Sequence, residues 1–113
     1  MSTVVIAGSF SVASGSEDFK TIYTVPGAKT FKIKIVQLHF PVGTEGNLAI
    51  QLVVDNFPIL PDEGEFTGDD VTYVIESEKE VPPNSEIKIK GVNSDASNPH
   101  SVYYVVELSL IHI

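Results

Sequence analysis

Apolar residues recur at every second position along most of this chain. Near the N-terminus Val4, Ile6, Phe10 and Val12 fall on one side of the alternation, with Thr3, Val5, Ala7, Ser9 and Ser11 on the other. Successive side chains of a strand point to opposite faces, so a period of two predicts a strand with one buried face. Gly8 interrupts the apolar row and marks a bulge or a close neighbouring backbone. After the turn Ser-Gly-Ser-Glu-Asp, Phe19, Thr21, Tyr23 and Val25 oppose Lys20, Ile22 and Thr24. The third segment, 30–40, opens with Phe31, Ile33 and Ile35 inward and Lys32 and Lys34 outward. It then changes phase, because Val36, Leu38 and Phe40 become the apolar set. A bulge or bend near Ile35 re-aims a strand in this way.

Leu48, Ile50, Leu52 and Val54 continue the pattern against Asn47, Ala49, Gln51 and Val53. Val71, Tyr73 and Ile75 mark another strand, and Ile87 and Ile89 the next. Between Phe57 and Phe66 the prolines Pro58 and Pro61 leave room for one short edge strand. In the last segment Val102, Tyr104, Val106, Leu108 and Leu110 form one row and Tyr103, Val105, Glu107, Ser109 and Ile111 the other. No sustained helical period occurs. Seven clear strands and an eighth short one predict an all-β fold, a two-layer antiparallel β-sandwich.

Two corners repeat. "TVPGAKTFKIKI" from Thr24 returns as "EVPPNSEIKIKG" from Glu80, each leading from Val-Pro through a turn into an apolar-Lys-Ile-Lys run. With the short strand counted, the corners join strands two to three and six to seven, a displacement of four. An eight-stranded jelly roll built of two Greek keys places equivalent corners at that displacement. Val-Pro is also simply a good turn, since proline fixes φ and cannot donate to a ladder.

Length and composition narrow the class. A chain of 113 residues, 42% apolar, suits one domain spanning 1–113 that folds alone or with its own copies. No cysteine is present, so thiolate metal sites and disulfides are excluded and packing must supply the stability. No stretch has the make-up of a secretory signal or approaches the roughly 20 apolar residues of a membrane span. Synthesis in the cytoplasm, with no membrane partner, is the expectation. Seven lysines, no arginine and fifteen acids give a net charge of −8, which repels phosphate backbones and argues against a nucleic-acid partner.

Candidate chemistry is sparse. Eight carboxylates crowd 62–80, and an oxygen-rich loop holding Asp62, Glu63, Glu65, Asp69 and Asp70 is a candidate calcium ligand set, though its spacing fits no EF-hand and a solvated acidic loop that blunts a sheet edge is the favoured reading. Lys32, Lys34, Lys88 and Lys90 stand on outward positions of the two echoed strands. They form a basic face for a charge-directed contact if the strands share a sheet, and ordinary edge protection if they do not. His39, His100 and His112 are far apart in sequence, with no zinc-ligand spacing. Tyr23, Tyr73, Tyr103, Tyr104, Phe57 and Phe66 are candidates for sugar stacking or, more simply, for inter-strand packing. No nucleophile elbow, phosphate loop or Rossmann fingerprint occurs, and no enzyme or cofactor is expected.

The runs "YTVPGAKTFKIKIVQLHF", "GNLAIQLVVDN", "VPPNSEIKIKGVN" and "VYYVVELSL" together resemble the small β-sandwich or jelly-roll proteins on virus particles, especially capsid decoration and head-fibre proteins of tailed phages. The resemblance covers about residues 19–110 and lies in structural punctuation. The order Gly-Ala after Val-Pro departs from the commoner Ala-Gly. It implies a non-enzymatic virion component, made in the host cytoplasm, that assembles as a homotrimer and binds a capsid or other shell protein. No catalytic residue is carried over.

One feature of the residues agrees with assembly. Val105, Ile111 and Ile113 lie opposite the core row of the last strand and need a partner surface, so self-association or a shell contact is predicted there. A calcium- or carbohydrate-binding sandwich and a non-viral self-assembling filament or surface subunit remain the alternatives.

Overall fold

The computed structural model describes residues 3–61 and 63–111. Among them are nine strands and no helix: β1 (Thr3–Val12), β2 (Glu17–Thr24), β3 (Thr30–Phe40), β4 (Leu48–Val54), β5 (Phe57–Leu60), β6 (Val71–Glu76), β7 (Glu80–Val81), β8 (Glu86–Asn93) and β9 (His100–Ile111). The front sheet has the order β1-β9-β3-β6, with β7 also on β3; the back sheet is β2-β8-β4-β5. All pairs are antiparallel.

The pairing is nested. β1 lies against β9, β2 against β8, β3 against β6 and β7, and β4 against β5. This is one long hairpin rolled into two layers, the jelly-roll order. The ninth strand arises because the partner of β3 is broken. Val81 and Glu80 pair with Phe31 and Lys32, while Val71–Glu76 pairs with Phe40–Ile35. Between them Ser77 N–H donates to Lys34 O (3.0 Å) and Ile33 N–H to Lys79 O (2.8 Å), so the broken strand follows β3 throughout.

The predicted alternation fills the space between the sheets. Phe31, Ile33, Val36, Leu38 and Phe40 of β3 meet Leu48, Ile50 and Leu52 of β4 and Ile87 and Ile89 of β8 in one core, closed by Val102, Tyr104, Val106 and Leu108. Fully burying such a side chain contributes about 1.5–3 kcal/mol. The predicted change of phase in β3 is a bulge at Lys34, between the pairs Ile33↔Leu108 and Ile35↔Glu107. Ile35, expected inward, therefore faces outward and is half-buried.

Two local expectations change. Gly8 keeps regular register with Tyr104, and what approaches it is the Tyr104 ring: an added Cβ would lie 2.7 Å from the hydroxyl. In β2 the register shifts between Thr21 and Tyr23, so Phe19 faces solvent while Tyr23 packs edge-on against Phe31 at 5.8 Å. Lys20, level with buried Ile89, reaches across to the front sheet.

Candidate assembly face

The outer face of the front sheet is built by side chains that the core rejects. Register across β1, β9, β3 and β6 sets them in rows: Val5, Glu107, Ile35 and Glu76; then Ala7, Val105, Gln37 and Val74; then Ser9, Tyr103, His39 and Thr72. Val5 is 62% exposed, Val74 60% and Tyr103 51%. Three of the six large apolar side chains exposed among the described residues stand on this one sheet face. Val105 sits at their centre, half-buried between Ala7 and Gln37, and Ile111 lies half-buried opposite Thr30 at the end of β9. Ile113 lies outside the described residues.

One end of the face is charged. The bulge at Lys34 opens a depression of about 360 Å³ lined by Thr3, Lys34, Ile35, Glu76, Ser77, Glu78, Glu107 and Ser109. Glu78 bridges Lys32 (2.8 Å) and Lys34 (3.1 Å). Hydrogen bonds from Lys32 and then Lys34 hold its carboxyl below the usual range, and the same contact raises Lys32. All three groups are solvated, so the pairs fix geometry more than they add stability. At the opposite end His39 Nδ1 lies 2.9 Å from Thr72 Oγ1, with its ring 6.2 Å from that of Tyr103.

No family model matches this chain, and no curated relative does. Solved structures do. The chain superposes on a chain of the infectious bursal disease virus Gt strain with a TM-score of 0.58 at 12% identity, covering 98% of this chain and 32% of that one. The VP2 subviral particle of the same virus gives 0.55 at 18% identity, with 96% and 32% covered. A chain of the cyanophage Pam1 capsid asymmetric unit gives 0.52 at 18% identity, with 94% and 83% covered. The chain shares its β-sandwich fold with these structures. It spans about a third of the length of the bursal virus chains and most of the Pam1 chain.

The remaining candidates do not converge. β3 and β8 belong to different sheets, so the four lysines form no single patch. Lys32 and Lys34 share Glu78 on the front; Lys90 meets Glu17 (3.4 Å) and Lys88 approaches Glu86 (3.9 Å) on the back. Alternation along a strand fixes which face a lysine takes but not which sheet holds the strand. In the acidic loop Asp69 Oδ1 accepts the amides of Gly43 (2.7 Å) and Glu45 (3.3 Å), which holds the β3–β4 turn. Glu63, Glu65 and Asp70 are exposed, Asp62 lies outside the described residues, and no group of three His, Cys, Asp or Glu among the described residues is placed for a metal ion. His100 pairs with Asp95 (2.9 Å), away from His39, and His112 lies outside the described residues.

The aromatic residues are divided too. Tyr73 packs between Phe40 (6.0 Å) and Phe66 (5.7 Å) and donates to Thr67 O (2.6 Å), Tyr104 is buried, and Phe57 is exposed alone on β5. Sequence reasoning missed Asn93, which is 1% exposed and donates from Nδ2 to Val12 O (3.1 Å), Ala13 O (3.4 Å) and Asn98 O (2.9 Å). Its signal was available. Asn93 falls on the inward row of Ile87, Ile89 and Gly91, and a polar residue there must be satisfied internally.

Proposed function

We propose that this chain is a non-enzymatic structural component of a virus particle, a decoration or surface protein that binds a shell and copies of itself. The observation that carries the proposal is the set of exposed apolar side chains on the outer face of the front sheet, Val5, Val74 and Tyr103 around Val105. Four strands about 4.8 Å apart and about ten residues long give a face of roughly 650 Å². Each partner in a standard protein interface contributes about 800 Å². The fold likeness supports a place in a shell, and the Pam1 capsid chain, similar in extent to this one, supports a sandwich of this size serving there.

The assembly unit in this proposal is a homotrimer, joined through the outer row of β9 at Val105 and Ile111. Residues 1–113 act as one domain, made in the host cytoplasm and carried on the virion. Size-exclusion chromatography with light scattering tests self-association: the expected mass is three copies or a multiple of three, and a strict monomer at high micromolar concentration overturns it. Immunogold labelling of purified particles with antibody against the recombinant protein tests location. Gold confined to material free of particles would remove the virion role.

A further inference from the structure

An edge strand offers a row of unpaired backbone groups, and chains blunt such edges with charge, proline, bulges or brevity. Three edges here are blunted. β5 is four residues long and contains Pro58; β2 carries Glu17, Asp18 and Lys20 and a register shift; and the edge formed by β6 and β7 is broken and carries Glu76 and Glu80. β1 differs. It runs ten residues, TVVIAGSFSV, in regular register with β9 and contains no charge and no proline.

The direction of its backbone groups follows from one hydrogen bond. Lys20 Nζ donates to Ser9 O at 3.0 Å from β2, so Ser9 turns its polar groups away from β9. Backbone groups alternate sides along an antiparallel strand, so Thr3, Val5 and Ala7 turn theirs to the free edge as well. Lys20, held 5.4 Å from the centre of the Tyr104 ring, closes the edge at Ser9. Among the described residues no hydrogen bond engages the edge side of Thr3, Val5 or Ala7. The open stretch is centred on Val5.

We propose that this open edge pairs antiparallel with β1 of a second copy, Val5 opposite Val5 about a two-fold axis, so that two front sheets become one. The pairing rests on self-association of the chain as proposed for its function, and names a second surface for it. Thr3 then faces Ala7 and Val4 faces Ile6, and the register forms about six backbone hydrogen bonds. A second copy fits this edge because antiparallel pairing about Val5 sets the polar groups of Thr3 opposite those of Ala7, and β1 presents no charge to repel an identical strand. A two-fold edge contact between trimers gives a particle of six copies.

The experiment compares wild type with Val5→Pro, Val5→Lys and Val5→Cys by light scattering and by crosslinking. Among the described residues the Val5 N–H has no acceptor, so proline there removes an edge donor without breaking a ladder bond. Circular dichroism and a melting curve establish that each variant folds, and Val5→Lys serves if Val5→Pro does not. Val5 also stands on the outer face, so Val5→Ala, which shortens that side chain and keeps the edge N–H, is the control: six copies should persist in it and fall to three in Val5→Pro. Two Val5→Cys subunits, with Cα atoms about 5.5 Å apart, oxidise to a disulfide dimer. Val42→Cys, exposed in the β3–β4 turn of this cysteine-free chain, does not. A trimer indifferent to all three substitutions, with no crosslink, overturns the edge pairing and leaves self-association standing. A wild-type dimer that becomes monomeric in Val5→Pro supports the edge and removes the trimer; a strict monomer without crosslink removes both.

Discussion

The amide of Asn84 donates to the carbonyl of Val25 at 3.0 Å, and the amide of Val25 donates to Ser85 at 2.9 Å. The two echoed corners are therefore bonded to each other. β2 pairs with β8 and β3 with β7, so the chain crosses from back sheet to front at Val25–Pro26 and returns beside itself at Val81–Pro82. Val25 and Val81 are both buried beneath the crossing. Ala28 and Asn84, equivalent in the repeat, both have left-handed backbones, with φ of 66° and 65°. One turn chemistry serves two corners because the rolled hairpin brings both arms across the same end of the sandwich.

That equivalence predicts which corner is improvable. Asn tolerates the left-handed region, whereas alanine in it costs about 1–2 kcal/mol. Glycine relieves that cost but gives back about 0.4–1 kcal/mol through a freer unfolded chain. Ala28→Gly should raise stability by about 0.5 kcal/mol, and Ala28→Val should lower it by about 1–2 kcal/mol, in urea titrations. Loss of stability in Ala28→Gly would contradict the corner geometry.

Gly91 is where β8 meets β1 of the other sheet. A Cβ at Gly91 would lie 2.7 Å from Val12 Cγ2 and 2.8 Å from Phe10 Cε2, both on β1 of the other sheet. Gly91→Ala should overpack this contact and cost about 1–3 kcal/mol. Phe10→Leu in the same chain should restore part of the loss, because it removes the ring atom that the new methyl meets. Additive losses in the double variant would argue that the sheets do not touch there.

Much of this was legible in the residues, and the failures share a cause. Alternation located the strands and the change of face in β3, because one face of each is buried. It could not find β7, since two paired residues beside Pro82 leave no period. In β2 the bulge at Ile22 put Phe19 outside and let Lys20 cross to Ser9, an arrangement fixed by the edge of the sandwich and not by neighbouring residues. The outer face was half legible. Val105 and Ile111 stood out as a second apolar row on β9, but only the order β1-β9-β3-β6 brings Val5 and Val74 beside them.

The loop before β9 should titrate. Asp95 receives the Ser97 amide, the His100 ring and the Asn98 amide, and these hydrogen bonds, the Ser97 amide foremost, lower its carboxyl to about 2. A carboxyl lowered on folding contributes stability that is complete above its unfolded value near 3.9 and lost as pH falls through its folded value. The melting temperature of wild type should therefore fall between about pH 4 and pH 2 more steeply than that of Asp95→Asn. At neutral pH the variant should be the less stable, and the two curves should converge toward pH 2. Parallel curves across that window would mean that the Asp95 charge does not hold the loop.

The assembly face makes a prediction in which stability and association separate. Val105 is half-buried within the subunit and lies outside the core cluster, so Val105→Asp places a carboxylate on an outer face, where a single subunit can still hydrate it. Against a partner the same carboxylate must be stripped of water and left unpaired, which costs far more than the lost methyl groups. Burying an aliphatic side chain contributes about 1.5–3 kcal/mol, so losing the contact alone weakens association about ten- to hundredfold. Val105→Asp should keep a melting temperature within a few degrees of wild type and dissociate on dilution, as measured by analytical ultracentrifugation. Ile111→Asp should do the same if the contact extends to the end of β9, and Phe57→Asp, on the back sheet, should leave assembly intact. If Val105→Asp assembles as wild type does, the outer face is not the contact, and the exposed valines need another partner.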